Sequence, residues 1–247
     1  MVAATLGFLA INAQFTRAAW PLPPYISVCH RSDPQLDTCM RNALEKLRPN
    51  LVKGMPELGI PSCEPLFIKE MVLNQGSGPV TVTSKYTNIK VYGPTKFKIQ
   101  SLKVDVPKKR VQMNLSLPYL RMTSHYTMSG RILLMPISGS GYSEGNYTDI
   151  NVSTTMQGEH VNRAGKVYYH VKDFKVKFII GHARVRLDNL FNGDKKLGDA
   201  MNKFLNENWK DVANELMPLL EDKVGDLFKE FANKIYRRYT LDQILPP

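Results

Sequence analysis

The feature that most constrains this chain is a C-terminal segment, from about Lys195 to Tyr239, whose apolar residues recur at helical spacing. Its apolar residues are Leu197, Met201, Phe204, Leu205, Trp209, Val212, Leu216, Leu219, Leu220, Val224, Leu227, Phe228, Phe231 and Ile235. At ~1.5 Å per residue, one helix over this segment would be roughly 65 Å long. Pro218 should kink that helix or divide it in two, because proline removes a backbone hydrogen bond. A continuous apolar stripe of this length needs an equally long apolar partner.

The region from Leu66 to about Leu190 can supply that partner. Apolar and polar residues alternate in it, for example at Ile150, Val152 and Met156, and this period of two predicts half-buried strands. Signals for short turns separate the strands at residues 76–79, 107–109, 139–141 and 162–165. Short turns join antiparallel strands, whereas parallel strands need long crossovers. The region is therefore predicted to form antiparallel hairpins.

A shorter helix is predicted ahead of the strands. Asp33 and Pro34 are suited to its N-cap and first turn, and Gly54 to its end. Apolar residues recur every three or four positions between them, at Leu36, Met40, Ala43, Leu44, Leu47 and Leu51. The sequence thus predicts an α+β fold: a strongly curved antiparallel β-sheet wrapped around a long C-terminal helix, with a shorter N-terminal helix, in a single domain over residues 20–247.

The first 19 residues, MVAATLGFLAINAQFTRAA, are typical of a secretory signal peptide, because an apolar run leads to small residues. No later apolar stretch approaches the ~18 residues of a membrane span. The triplets that begin at Asn114, Asn146 and Asn151 are glycosylation sequons, which agree with secretion. We therefore expect a secreted, extracellular glycoprotein.

The chain has 33 lysine and arginine residues against 22 aspartate and glutamate residues, a formal net charge of +11. Such a charge favours encounter with anionic surfaces. No zinc-finger or RNA-binding motif is present, so no nucleic-acid partner is expected. Basic residues occupy the alternate, outward positions of several strands: Lys96, Lys98, Lys103, Lys172, Lys175, Lys177, Arg184 and Arg186.

Three cysteines are present in the chain. Cys29 and Cys39 could close a short loop in an oxidising compartment. Cys63 would then be unpaired, either as a small buried apolar residue or as a reactive thiol. No cysteine or histidine pair has the spacing of metal ligands, so neither a metal nor a cofactor is expected.

The stretch GYSEG, residues 141–145, matches the Gly-x-Ser-x-Gly pattern of serine hydrolases, with Ser143 as the candidate nucleophile. In those enzymes a strand precedes the serine and a helix follows it. Here the following residues, NYTDINVSTTM, have the β-branched, alternating composition of a strand. GYSEG is therefore predicted to be a glycine-rich hairpin turn, and an esterase remains the enzymatic alternative.

Three longer motifs carry a family resemblance over nearly the whole mature chain. They are SVCHRSDPQLDTCMRNAL, GIPSCEPLFI and LNENWKDVANELMPLLEDKV, the last containing Asn206, Trp209 and Pro218. With these motifs the sequence resembles the insect takeout and juvenile-hormone-binding proteins of the tubular lipid-binding superfamily. No cysteine follows Cys63, so the second disulfide of juvenile-hormone carriers cannot form, and the resemblance is nearer to the takeout branch.

The resemblance implies a secreted, non-catalytic carrier that holds an elongated apolar ligand in a tunnel between the long helix and the curved sheet. It also implies takeout-like roles in feeding, daily rhythm or chemosensation. We predict that the following residues face the tunnel or the core around it: Leu44, Leu47, Leu66, Met113, Leu115, Leu117, Ile132, Leu134, Met156, Phe174, Val176, Phe178, Leu216, Leu220, Phe228 and Phe231.

A second binding function is also compatible with the sequence. The basic outer face of the sheet could dock on an anionic membrane or on bacterial lipid, and this binding would weaken as salt is added. In either case we expect a small hydrophobic ligand, transient contact with membranes at most, and a monomer.

Overall fold

The computed structural model describes residues 20–247; the predicted signal peptide at residues 1–19 lies outside them. The helices are α1 (Leu36–Lys53), α2 (Lys195–Glu207), α3 (Trp209–Tyr236) and the short α4 (Leu241–Ile244). The strands are β1 (Leu66–Gln75), β2 (Val80–Tyr92), β3 (Lys98–Asp105), β4 (Arg110–Ile132), β5 (Met135–Arg163), β6 (Lys166–Ile179) and β7 (His182–Leu187). The α+β class predicted from the sequence is confirmed.

The sheet is built on the long antiparallel hairpin of β4 and β5, whose register runs from Arg110 opposite Gln157 to Ile132 opposite Met135. On one side, β4 pairs first with β3 and then with β2, which in turn pairs with β1. On the other side, β5 pairs first with β7 and then with β6. Irregular registers interrupt three of these pairings, and such bulges bend and twist a sheet. The result is a curled half-barrel, open on one side.

The C-terminal helices close the open side of the half-barrel. The predicted long helix is divided, but at Asn208 rather than at Pro218, which lies inside α3. Asn208 has the non-helical backbone angles φ −110° and ψ 23°, and its side-chain amide donates to the Phe204 carbonyl at 2.8 Å. Pro218 is exposed, so water can solvate the carbonyl that its missing N–H leaves free.

The N-terminal helix starts at Leu36, two residues after the predicted Pro34. The Asp33 carboxylate accepts from the Gln35 N–H at 2.7 Å, which fixes a turn ahead of the helix rather than its first turn. The helix ends at Lys53, and Gly54 follows with φ 88°, as the sequence predicts. Asp37 joins α1 to the sheet by accepting from the Val104 N–H at 2.8 Å.

The predicted turn at residues 139–141 and the predicted hairpin turn GYSEG are both wrong, because all of these residues lie within β5. The chain reverses instead at Leu133 and Leu134, where Leu133 has φ 54°. The glycines allow another segment to cross closely over the strand. A Cβ on Gly141 would lie 2.3 Å from the Asp188 carbonyl oxygen, which no side chain could tolerate.

Candidate functional site

The apolar interior lies between the concave face of the sheet and the helices. In residues 20–247 many of its buried side chains fall into three clusters. The hairpin cluster comprises Val80, Val82, Tyr126, Met128, Ile132, Ile137, Leu187, Leu190, Met201 and Leu205. The loop cluster comprises Met55, Leu58, Ile60 and Tyr239, and the central cluster comprises Leu117, Ile150, Val152 and Val176.

Apolar side chains that are only partly buried lie around the three clusters. Along α3, Leu216 packs on the hairpin cluster, Val224 on the central cluster and Phe231 on the loop cluster. Phe228, which is 40% exposed, stacks on Phe174 with ring centroids 5.9 Å apart and meets Phe231 edge-on. One face of α3 thus runs past all three clusters, with incompletely buried side chains between them.

The structure brings most of the predicted tunnel residues into this interior. Leu115, Leu117, Phe174, Val176 and Phe178 belong to or pack on the central cluster. The other predicted residues are distributed over the remaining interior: Ile132 and Leu216 in or on the hairpin cluster, Leu47 and Phe231 on the loop cluster, Leu66 buried, and Leu44, Met113, Met156 and Leu220 half-buried. Contact of any of these side chains with a ligand stays a prediction.

Leu134 is a correction to the predicted tunnel residues. Its side chain is 91% exposed, because it lies at the tip of the β4–β5 hairpin, outside the interior. The alternation of Ile132 and Leu134 predicted a shared inward face, but the reversal of the chain begins at Leu133 and ends that alternation.

Helices α2 and α3 are attached to the open edges of β7 and β6 by side chains that imitate a neighbouring strand. Asn206 accepts from the Val185 N–H and donates to the Val185 carbonyl, both at 2.8 Å. Asn202 accepts from the Leu187 N–H and donates to the Leu187 carbonyl in the same way. Asn233 does so with the N–H and carbonyl of Val171, both at 2.9 Å. These bonds fix the distance between the helices and the sheet.

The helix α3 also carries a buried carboxylate at this seam. Glu221 is 6% exposed, accepts from the Phe178 N–H at 2.9 Å and forms an ion pair with Lys177. Close by, a Cβ on Gly225 would lie 2.4 Å from the Phe174 carbonyl oxygen, so the helix touches the backbone of β6 there. Because α3 meets β6 through these residues, its apolar face is left for the interior.

The sequence analysis did not predict a belt of tyrosine and serine side chains in the middle of the interior. The belt consists of Ser84, Tyr86, Ser124, Tyr126, Ser143 and Tyr147. Tyr126 donates to the Asp188 carbonyl at 2.8 Å, and burial raises the pKa of its hydroxyl to about 12. Burial, and to a smaller extent the neighbouring charge of Tyr86, raises the pKa of Tyr147 to about 12. The alternation of Val80, Val82, Ser84 and Tyr86, which share a face, could have revealed this belt.

Ser143 belongs to the same belt and lacks the surroundings of a nucleophile. It is 5% exposed, and its hydroxyl shares a hydrogen bond of 2.6 Å with the Ser124 hydroxyl. Activation of a serine requires a base such as histidine at that position. The adjacent His125 is exposed on the opposite face of the strand, with its ring edge-on to Tyr142. The geometry therefore gives the esterase hypothesis no support.

A cavity of about 110 Å³ opens at the end of the interior where α1 begins and α3 ends. Its apolar lining consists of Met40, Val104, Val106, Val111, Met156, Tyr169, Tyr236, Leu241, Ile244 and Leu245. The charged and titratable side chains around it are Arg31, Asp105, Lys109, Arg110 and His160. A wider surface groove shares five lining residues with the cavity: Arg31, Val104, Asp105, Val106 and Arg110.

Two tyrosines form an aromatic wall of this cavity. The rings of Tyr169 and Tyr236 meet edge-on with centroids 4.9 Å apart, and Tyr169 donates to the Lys109 carbonyl at 2.8 Å. Burial, then the charge of Tyr236, raises the pKa of Tyr169. The ring of Tyr169 needs a glycine opposite it, since a Cβ on Gly158 would lie 2.2 Å from the Tyr169 Cζ atom.

Comparison with known proteins places this fold in a family. The family model of the haemolymph juvenile hormone binding protein matches residues 5–246. The chain belongs to that family. Members of the juvenile hormone binding protein family are secreted haemolymph proteins that bind small hydrophobic ligands. The resemblance seen in the sequence motifs is thereby confirmed.

Individual proteins resemble this chain in structure or in sequence. The crystal structure of Takeout 1 from Epiphyas postvittana superposes with a TM-score of 0.75 and 27% sequence identity, covering 89% of this chain and 99% of that one. The circadian clock-controlled protein daywake of Drosophila melanogaster is 24% identical over 217 residues, 85% of this chain and 84% of that protein. The "Putative beta-carotene-binding protein" of Schistocerca gregaria is 20% identical over 223 residues, 90% of this chain and 88% of its own.

The cysteines of this family member agree with the sequence prediction. Cys29 and Cys39 form a disulfide, with Cα atoms 5.9 Å apart. Cys63 is half-buried, and burial, followed by the charge of Glu64, raises the pKa of its thiol. The thiol is therefore protonated at neutral pH and a poor nucleophile.

The basic outer face is less positive than its residue types imply. All eight predicted outward lysine and arginine residues are exposed. Five of them nevertheless lie within 4 Å of a carboxylate: Lys103, Lys172, Lys175, Lys177 and Arg186. No helix within residues 20–247 has both the length and the apolar composition needed to cross a membrane. In the same residues, no group of three acidic, histidine or cysteine side chains is arranged to hold a metal.

Proposed function

We propose that this protein is a secreted, monomeric, non-catalytic carrier that binds an elongated hydrophobic ligand between α1, α3 and the concave face of the sheet. The ligand would be juvenile hormone, another isoprenoid, a fatty acid or a similar lipid, in a takeout-like role in feeding, daily rhythm or chemosensation. The observation that carries the proposal is the apolar face of α3, which runs past all three clusters with incompletely buried side chains such as Phe228.

Apolar burial is sufficient to drive such binding. Each buried CH₂ group contributes about 0.8 kcal/mol, so a chain of roughly fifteen carbons contributes about 12 kcal/mol. Association entropy and ordering of the chain remove half of this or more. The remainder of at most about 6 kcal/mol corresponds to dissociation constants of about 40 μM or above.

An elongated ligand needs more room than the cavity at the end of the interior provides. That cavity is about 110 Å³, whereas ligand sites commonly enclose about 300–1,000 Å³. We therefore propose that half-buried side chains along the interior move as the ligand enters. Met113, Met156 and Phe228 are suited to this, since methionine is adaptable and Phe228 is incompletely covered.

Native mass spectrometry of protein purified from its own secretory tissue, followed by extraction, would identify any bound lipid and report the oligomeric state. Binding of labelled juvenile hormone, long-chain fatty acids and quinones would then be measured on the delipidated protein. A protein that is empty when purified and binds none of these compounds would contradict the carrier proposal.

A pair of tryptophan variants tests whether the ligand lies in the interior. Val224→Trp adds volume to the face of α3 that packs on the central cluster, and Leu134→Trp adds it at the exposed hairpin tip. We expect Val224→Trp to weaken binding at least tenfold and Leu134→Trp to leave it unchanged, with the same circular dichroism for both. Equal affinities for both variants would place the ligand elsewhere.

The membrane-docking alternative is not favoured, because five of the eight predicted outward basic residues are paired with carboxylates. The arrangement of Ser143 likewise gives no reason to propose an enzyme.

A further inference from the structure

The cavity at the end of the interior, described above, joins an apolar lining to a basic rim. Arg31, Lys109 and Arg110 are on the rim with His160, and Asp105 is the acidic residue among the cavity-lining side chains. Desolvation lowers the pKa of His160, and the positive charges of Lys109 and Arg31 lower it further. His160 therefore adds no charge, and the rim is net positive because Arg31, Lys109 and Arg110 face two carboxylates, Asp105 and the Asp242 that pairs with Arg31.

Both arginines of this rim have an unused hydrogen-bond donor. The Nε atoms of Arg31 and Arg110 are buried and have no hydrogen-bond partner in the part of the chain that the structure describes. Their other nitrogens turn toward carboxylates: Arg31 Nη2 pairs with Asp242, and Arg110 Nη2 lies 3.7 Å from Asp105 Oδ2. A buried N–H group without a partner costs about 1–3 kcal/mol, and more when it is charged.

The backbone around Arg31 is firmly held. Arg31 lies in the loop closed by the Cys29–Cys39 disulfide, and its N–H donates to the Pro246 carbonyl at 2.7 Å. The neighbouring His30 ring bonds the Pro247 carbonyl oxygen at 2.8 Å. Arg110 begins β4, where it pairs with Asp105 of β3 and Gln157 of β5. The two arginines are thus presented by separate, rigid parts of the fold.

We infer that this rim binds the carboxylate of a ligand whose apolar chain extends into the interior. The carboxylate accepts from the guanidinium groups of Arg31 and Arg110, which line the cavity, and charge-assisted bonds of this kind are about twice as strong as neutral ones. The first carbons of the chain lie against Val111, Met156 and Tyr169. The inference rests on the proposed carrier function and narrows its ligand class to fatty-acid-like molecules.

Displacement of the neutral fluorophore N-phenyl-1-naphthylamine from delipidated protein tests the inference at pH 8. The competitors are dodecanoic acid and 1-dodecanol, which share a chain length and differ in charge. We expect wild-type protein to bind the acid at least tenfold more tightly than the alcohol. In Arg31→Gln and Arg110→Gln this preference should fall below threefold, with alcohol affinity unchanged.

Arg184→Gln is the matched control, because Arg184 is exposed on β7 and distant in sequence from the rim. It should retain the wild-type preference for the acid. Equal affinity of wild-type protein for acid and alcohol would overturn the inference and leave the carrier function standing. So would a parallel loss of both competitors in the rim variants, since the arginines would then shape the cavity rather than bind the carboxylate. Failure of the fluorophore and both competitors to bind would overturn the carrier function itself.

Discussion

At the residue scale, Asn233 shows how much of this fold depends on single polar side chains. It is 5% exposed on α3 and satisfies both backbone groups of Val171, which is itself 1% exposed. The edge of β6 would otherwise present these groups to an apolar interior, where unpaired backbone groups are costly. Asn202 and Asn206 do the same for β7, so the device is repeated along the seam.

Asn233→Ala should therefore lower the free energy of unfolding by about 2–4 kcal/mol, because it leaves a buried N–H and a buried C=O unpaired. Urea denaturation followed by circular dichroism measures the change. Asn42→Ala, at an exposed position on α1, serves as the control and should stay within about 0.5 kcal/mol of wild type. A similar stability for the two variants would mean that water replaces the Asn233 amide.

At the element scale, the packing of α3 against β6 is set by Gly225. The helix contacts the strand backbone so closely at this position that even a methyl group would overlap the Phe174 carbonyl. Gly198, in α2, is the natural comparison, since the nearest atom to a Cβ there is Leu190 Cβ at 3.8 Å. Both glycines are buried and helical, so helix propensity alone would predict the same response to alanine.

We expect Gly225→Ala to destabilise the protein by about 1–3 kcal/mol, because α3 must shift away from β6 to make room. Gly198→Ala should be neutral or stabilising by up to about 1 kcal/mol, since alanine is the better helix former. Thermal unfolding of both variants checks the difference. The packing explanation fails if Gly225→Ala is as stable as Gly198→Ala.

The elements also show what local patterns can predict. The alternation from Ile150 to Met156 and the helical stripe from Leu197 to Ile235 depend only on neighbouring residues, so a strand and helical structure are predicted correctly for these two segments. Gly139 and Gly141 were assigned to a turn because glycine is common in turns. Glycine is needed at both positions because the segment near Asp188 and Leu190, which is remote in sequence, passes close to the strand there. Long-range contacts of this kind leave no local pattern.

At the scale of the whole molecule, the disulfide connects the chain ends to the cavity rim. Cys29 is 1% exposed, and the loop it closes holds Arg31 beside the C-terminal residues Pro246 and Pro247. A bond over a separation of 10 residues restricts the unfolded chain and so stabilises the folded one. It also ties the N-terminal segment to α1, since Cys39 lies in that helix.

The double variant Cys29→Ser and Cys39→Ser should lose about 2–3 kcal/mol of unfolding free energy in the chain-entropy account. Cys63→Ser provides the comparison, because this half-buried cysteine has no disulfide to lose and should change stability by less than 1 kcal/mol. Chemical denaturation under non-reducing conditions measures both. If the double variant is as stable as Cys63→Ser, the native disulfide does not stabilise the fold.

The sequence by itself determined most of the elements, their antiparallel arrangement and the family motifs, because periodicity and spacing are written in consecutive residues. Only the tertiary structure decided where the long helix divides, that GYSEG continues β5, and that Leu134 leaves the interior. It alone also brought Arg31 and Arg110 to one cavity. These features depend on distances between residues far apart in the chain, and the sequence pattern around each residue carries no information about those distances.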